Sequence, residues 1–233
     1  MELKTIMSSS KGNCYVITDE GRSLIIEAGV SAKKMNGIDF SIVDGCLISH
    51  EHSDHGKGAK GLIKRSSLDV YASKGTLDAL ELPKHRSVVI ESLKQFNIKD
   101  WTILPFDTQH DAKEPLGFFI ESPSGKRILF ATDTYYIKYK FPRITHLMIE
   151  CNYSKEILDE NYHNKTIQAF RYKRVIASHF ELGNVKSFIK SNDMSELEQV
   201  MLLHLSNENA NGDLFKKEIQ AVTGTPVYIA KGE

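Results

Sequence analysis

Short apolar runs punctuated by glycine, proline, asparagine and aspartate recur along most of the chain. "NCYVIT" and "SLIIEAG" are β-branched runs of strand length, and the "DEGR" between them predicts a hairpin turn. "GCLISH", "SLDVYAS" and "SVVIES" predict three more strands. "KQFNIKDWTILPFDT" reads as two strands joined at "NIKD", and "LGFFIESPSGKRILFATD" as two strands about a Ser-Pro-Ser-Gly turn. "THLMIECN", "KRVIASH", "VMLLHLS" and "TPVYIAK" complete the predicted strands. Helices are predicted at "SAKKMNG", "HGKGAKGLIKRS", "KGTLDALEL", "VKSFIKSN" and "GDLFKKEIQAVTG". The last opens on Gly-Asp, closes on glycine and repeats Leu214, Phe215, Ile219 and Val222 near helical spacing. Segment 153–172 is polar and tyrosine-rich without a clear period, so it reads either as an irregular excursion or lid, or as a surface helix. Strands with helices between and around them predict a layered α/β domain.

Composition adds little to this and removes several classes. The 233 residues fit one large domain or two small ones. Thirty basic residues balance thirty acidic ones, so no global field argues for nucleic acid, although a local basic patch is compatible with zero net charge. Cys14, Cys46 and Cys151 lie far apart and form no CxxC pair, which argues against a disulfide scaffold and for a reducing cytosol. The N-terminal "MELKTIMSSSKGNCYV" is too polar for a secretory signal, and no apolar run reaches membrane-spanning length. A cytosolic protein with no membrane partner is expected.

The chemistry concentrates in "LISHEHSDHGKG", Leu47 to Gly58. His50, His52, Asp54 and His55 form H-x-H-x-D-H directly after an apolar run. Strand alternation would send the His50 and His52 rings the same way, and a following turn would bring Asp54 and His55 to a neighbouring point. Glu51 and Ser53 alternate to the other side and read as structural. Imidazole nitrogen and carboxylate oxygen together suit Zn²⁺, Mn²⁺ or Fe²⁺.

This pattern resembles the signature of the metallo-β-lactamase superfamily. The resemblance implies an αββα sandwich, two packed mixed β-sheets flanked by helices, with the site on loops at strand ends. It also implies three later ligands. His110 after "TILPFDTQ", Asp133 closing "RILFATD" and His204 closing "VMLLH" stand in the expected order. By the same resemblance, one ion takes His50, His52 and His110, a second takes Asp54, His55 and His204, and Asp133 bridges two divalent ions about 3.5–4 Å apart. Zinc is the expected metal, with manganese as the alternative.

"SSSKGNCYVI", "EAGVSAKK", "SHEHSDHGKG", "QHDAKEPLGF", "ATDT", "ECN" and "LHLSNEN" further resemble the YycJ-like branch, small hydrolases regarded as DNA exonucleases. The similarity runs from about residue 5 to 230 and implies one domain over residues 1–233. The chain departs from that pattern at Tyr135, at Tyr153 and Ser154, and at "SHFELGN", where Glu181 takes the place of an expected histidine and His179 lies two residues earlier.

The function so implied is a metal-dependent phosphodiesterase on nucleic acid, in which two cations ready water for attack at phosphorus. Asp54 or Asp133 is expected to hold that water. His179, read at the end of the strand "KRVIAS", is the candidate proton donor to the leaving oxygen, with Glu181 to orient it or to replace the missing histidine. Ser8, Ser9, Ser10 and Asn13, with Lys11 and Asn207, are candidate substrate contacts. Tyr135, Tyr136, Tyr153 and Tyr162 are candidates for stacking on a base, and Arg171, Lys173 and Arg174 for the nucleic acid backbone. Alternatives are a cyclic-nucleotide phosphodiesterase of the phage anti-defence type, a thioester or lactam hydrolase, and a non-catalytic metal-binding module. A homodimer is compatible with all of these.

Overall fold

In the computed structural model, which describes residues 1–231, the first strands are β1 (Glu2–Ser9), β2 (Gly12–Asp19) and β3 (Arg22–Ile26). They run antiparallel. The β2–β3 turn falls on "DEGR", where Glu20 and Gly21 take φ of 47° and 72°, the left-handed pair that a two-residue hairpin requires. From β3 the pairing turns parallel, through β4 (Val43–Leu47), β5 (Val70–Ala72) and β6 (Ser87–Val89), in the order β1-β2-β3-β4-β5-β6. Parallel neighbours need crossovers. These are supplied by α1 (Ser53–Gly56) and α2 (Ala59–Ser66) between β4 and β5, and by α3 (Lys74–Leu80) between β5 and β6. Ile25, Cys46, Ile48 and Val70 from the sheet bury against Ala59, Leu62 and Leu77 from the helices. Strands β7 (Phe96–Ile98), β8 (Trp101–Asp107) and β9 (Leu116–Glu121) form an antiparallel set. Buried Trp101 donates its indole N–H to Asp44 at 3.1 Å. These strands belong to a first compact unit, built on Met1–Asp107 and Ala112–Lys126.

The second unit comprises Thr108–Asp111 and Arg127–Ala230. Its strands β10 (Arg127–Ala131), β11 (His146–Glu150), β12 (Gln199–Leu203) and β13 (Val227–Ile229) are all parallel, in the order β13-β12-β11-β10. Unbroken apolar runs such as "ILFA" and "VMLL" are what strands covered on both faces require. Helices α4 (Lys155–His163), α5 (Ala169–Ser178) and α6 (Leu182–Ser191) lie between β11 and β12, and α7 (Gly212–Thr223) between β12 and β13. Asn211 caps α7, its side chain accepting from Leu214 N–H, and Gly224 closes it at φ 69°.

Three local expectations are corrected. "KRVIASH" is the end of helix α5, not a strand. Its Val-Ile-Ala run reads as β in isolation, but Tyr172, Val175 and Ile176 recur at helical spacing and pack on Tyr153, Leu158 and Ile167. "SAKKMNG" makes successive three-residue turns (Lys34 N–H to Ser31 C=O, Met35 N–H to Ala32 C=O), pinned by buried Met35, rather than an α-helix. The strand before the histidine cluster stops at Leu47, so His50 and His52 stand on an irregular segment that leads into α1. The ambiguous segment 153–172 is resolved as α4 and the start of α5.

Candidate metal centre

In the first unit the H-x-H-x-D-H residues stay together because the chain coils at once into α1, with His52 as the residue before its first turn. His50 Nε2 and His52 Nδ1 are 3.1 Å apart, and Ser49 Oγ lies 2.9 Å from His50 Nδ1. Two nitrogens bound to one tetrahedral zinc at about 2.0–2.1 Å would stand about 3.3 Å apart, so the pair fits a shared cation. The His50 and His55 rings are 4.1 Å apart between centroids, and His55 Nε2 is 3.5 Å from Asp54 Oδ2. Behind His55 is a carboxylate the sequence reading passed over. Glu27, fully buried just past β3, sets Oε1 3.5 Å from His55 Nδ1 and accepts from Ser49 N–H at 3.3 Å. The carboxylate thereby stands behind the His55 ring, within ion-pair distance of it. Asn13 is also fully buried and reaches Asp54 C=O at 3.3 Å and His55 Nε2 at 3.2 Å, which makes it a support for this loop.

Backbone proximity explains why glycine flanks the cluster. A Cβ on Gly29 would lie 1.6 Å from Asp54 O, and one on Gly58 would lie 1.9 Å from Val30 O. The loop after β3 and the histidine loop therefore touch backbone to backbone, tied by Ala28 N–H to His55 C=O and Gly58 N–H to Ala28 C=O, both at 2.8 Å.

The second unit gathers four more donors. Asp133, Glu150, His179 and His204 each offer one atom within 4.8 Å of the others. Asp133 follows β10, Glu150 closes β11 and His204 follows β12, so adjacent parallel strands deliver them to one end of the sheet. His179 is the C-cap of α5. Asp133 Oδ1 lies 2.5 Å from His204 Nδ1 and 3.6 Å from His179 Nδ1. Glu150 Oε1 takes His179 Nδ1 at 2.7 Å and His204 Nδ1 at 3.1 Å. Its Oε2 accepts from the N–H groups of Thr134 and Phe180, each at 3.1 Å. His110 sets Nε2 3.9 Å from Asp133 Oδ2, while its Nδ1 lies 3.2 Å from Ser178 C=O. Glu27, Asp133 and His204 all hold positive φ, at 66°, 43° and 51°. Non-glycine residues in that region cost about 1–3 kcal/mol each and concentrate at functional sites.

The charges are arranged for a cation. Burial opposes protonation of His179, but the Glu150 and Asp133 carboxylates override it and lift the ring to about 10. Against the same burial, Asp133 and Glu150 lift His204 to about 9. Burial prevails at His110 and lowers it, despite Asp133 nearby. Negative charge that draws a proton onto buried imidazoles draws a divalent cation equally, and mixed nitrogen and carboxylate donors are the set such ions take.

The remaining candidates divide. Ser9 accepts from Lys11 N–H at 3.2 Å and Ser8 bonds Tyr15 at 2.7 Å, so both act within the turn between β1 and β2. Glu181 caps α6 by accepting from Asn184 N–H at 3.0 Å. Asn207 is exposed on the turn after His204. Tyr153 is buried, Tyr162 stacks on Tyr172 at 4.6 Å, and Tyr135 and Tyr136 are exposed. Arg171 pairs with Glu208 at 2.9 Å, whereas Lys173 and Arg174 lie with Phe170 on the exposed face of α5.

The order of strands and the His/Asp clusters at their ends define a metallo-β-lactamase fold. Solved structures agree. The metallo-beta-lactamase fold protein YhfI from Bacillus subtilis aligns over 99% of this chain and 96% of its own, with TM-score 0.76 and 16% identity. Zn(2+)-bound PqqB from Methylobacterium extorquens aligns over 99% and 98%, with TM-score 0.72 and 13% identity. The chain belongs to the family described as Beta-lactamase superfamily domain, which matches residues 23–180. Among curated relatives, Exodeoxyribonuclease WalJ of Streptococcus pneumoniae is 29% identical over 226 residues, 88% of this chain and 81% of its own. Exodeoxyribonuclease YycJ of Bacillus anthracis is 27% identical over 242 residues, 95% and 89% respectively. Among the described residues, no helix is long and apolar enough to cross a membrane.

Proposed function

We propose that this chain is a metal-dependent hydrolase of phosphodiester bonds in nucleic acid. The observation that carries the reading is the pair of His/carboxylate clusters in a chain whose full-length relatives are named exodeoxyribonucleases. Two divalent ions, zinc or else manganese, are held by His50, His52, Asp54, His55, His110, Asp133 and His204 within a single catalytic domain in the cytosol. Bound there, such ions lower the pKa of water and neutralise charge on the phosphoryl oxygens.

The chain's own residues do the rest. Ser178 C=O accepts from His110 Nδ1 and so keeps that ring in one tautomer, while Glu27 sets a carboxylate behind His55. Asp54 or Asp133 holds the attacking water in place. His179 has Nδ1 engaged by Glu150, so the proton it gives to the leaving oxygen is the one on Nε2. Glu150 positions His179 and His204 from one carboxylate oxygen. Lys173, Arg174 and Phe170 on the exposed face of α5 support a nucleic acid strand as substrate.

The test is a panel of single-stranded DNA, RNA, cyclic nucleotides, a thioester and nitrocefin with metal-loaded protein, followed by product identification. Phosphodiester cleavage abolished by chelation is expected. Thioester or lactam turnover with every phosphodiester intact would refute the reading.

A further inference from the structure

The second unit contains a cavity of about 480 Å³ that none of the candidate metal ligands lines. One wall is the loop from Tyr135 to Lys140. The other is the face of α6 that carries Asn184 and Ser187, and Phe180 and Phe188 line it between them. Its volume lies in the range of small-molecule sites, about 300–1,000 Å³.

The cavity is anchored to the reaction centre through one side chain. Glu150 Oε1 engages His179 and His204, while Oε2 holds the backbone N–H groups of Thr134 and Phe180, the residues at which the two walls begin. Thr134 Oγ1 then accepts from Gln109 N–H at 2.9 Å and donates to Tyr136 C=O at 2.9 Å, which fixes the tyrosine turn against Asp133. Both walls are thus tied at their first residue to the carboxylate that engages His179 and His204.

The lining has the composition of a nucleotide site. Tyr135 and Tyr136 are 42% and 55% exposed, so packing within the fold does not account for two adjacent large aromatics. Aromatic faces receive bases of any identity by stacking. Asn184 offers its side-chain amide to a base edge or a sugar, Ser187 Oγ, whose proton goes to Gly183 C=O at 2.9 Å, can still accept, and Lys138 and Lys140 bring positive charge to the lining. Bare phosphate or a thioester acyl chain would not need this combination.

We propose that this cavity is the subsite for the nucleobase of the nucleotide adjoining the scissile phosphate, stacked on the Tyr135–Tyr136 turn. The inference rests on the phosphodiesterase reading and adds a nucleotide-recognition pocket to it. A strand end and a free or cyclic nucleotide present the same chemistry here.

Calorimetric titration of the metal-loaded protein with dAMP and with 2-deoxyribose 5-phosphate tests it without any turnover. The base should tighten binding by at least about tenfold. Tyr136→Ala, which removes the stacking face, and Ser187→Trp, which fills the cavity from an exposed helix position, should each weaken dAMP by about tenfold or more and leave deoxyribose phosphate within about twofold. Thermal melts establish that each variant is folded. Equal affinity for the two ligands, or undiminished dAMP binding in both folded variants, overturns the proposal. Displacement of dAMP by a short oligodeoxynucleotide or by cyclic AMP supports it and shows which source the site accepts; displacement by neither overturns it. A protein that cleaves phosphodiesters but ignores the base keeps the hydrolase reading and loses this inference. One that binds dAMP in this way yet cleaves nothing keeps a nucleotide pocket but loses the hydrolase reading and with it the pocket's role beside a scissile phosphate.

Discussion

At the scale of single residues, the decisive groups are charged side chains at the ends of otherwise apolar strands. That signal drew the reading to Asp133 and His204, just past β10 and β12, whereas His50 and His52 stand on the irregular segment beyond β4. The same signal marks Glu27 in "LIIE" and Glu150 in "LMIE", both fully buried, yet neither stands out in sequence because a lone glutamate is normally exposed. Only their placement beside His55, and beside His179 and His204, reveals what they do. Glu181 illustrates the opposite case, since a residue expected near substrate serves as a helix cap. His179 carries a prediction that separates proton donation from packing. His179→Ala should slow DNA cleavage by about 10²–10⁴-fold, and bis-p-nitrophenyl phosphate, whose leaving group needs no proton, by less than about tenfold. Equal losses on the two substrates, measured as kcat/KM, would remove His179 from that role.

At the scale of elements, β2 to β13 were readable, because β-branched runs between turn residues are local signals, whereas β1 (Glu2–Ser9) went unpredicted and "KRVIASH", read as a strand, is helix. Helix α5 was misread since its Val-Ile-Ala end looks like a strand until Tyr172 and the packing on α4 are seen. What no local pattern contains is the contact between the loop after β3 and the histidine loop. Gly29→Ala would force a methyl group into Asp54 O and should destabilise the protein by about 3 kcal/mol, read as the shift in a urea midpoint. A midpoint within error of wild type would contradict the close approach.

A second element-scale prediction concerns acid. Asp19 at the end of β2 accepts from Ser122 Oγ at 2.6 Å and Ser124 N–H at 2.9 Å. Burial alone would raise its carboxyl, but these hydrogen bonds, together with the N-terminal ammonium, outweigh burial and hold it below the usual range. A depressed folded-state pKa contributes stability above the unfolded value of about 3.9 and loses it as pH falls through the folded value. Asp19→Asn should therefore cost about 1.5–3 kcal/mol at pH 7 and progressively less below pH 4, followed by denaturant unfolding across pH. A pH-independent difference would show that the charge is not the source of the effect.

For the whole molecule, zero net charge says nothing of a local binding face, since a global count averages over the exposed basic face of α5. If a nucleic acid strand is the substrate, log KM for single-stranded DNA should rise with log salt at a slope of about 0.7 per phosphate contacted, and Lys173→Ala with Arg174→Ala should flatten it by about 1.4. A slope unchanged by the double substitution would place the strand elsewhere.

The hydrolase proposed above requires two divalent ions, with Asp133 proposed as common to both. The most direct measurement is the metal content per chain of purified protein beside that of Asp133→Ala, by elemental analysis after removal of loosely bound ions. The account predicts two ions in the wild type and about one in the variant, with turnover lost. A wild type holding fewer than two, or a variant that keeps both, would contradict it.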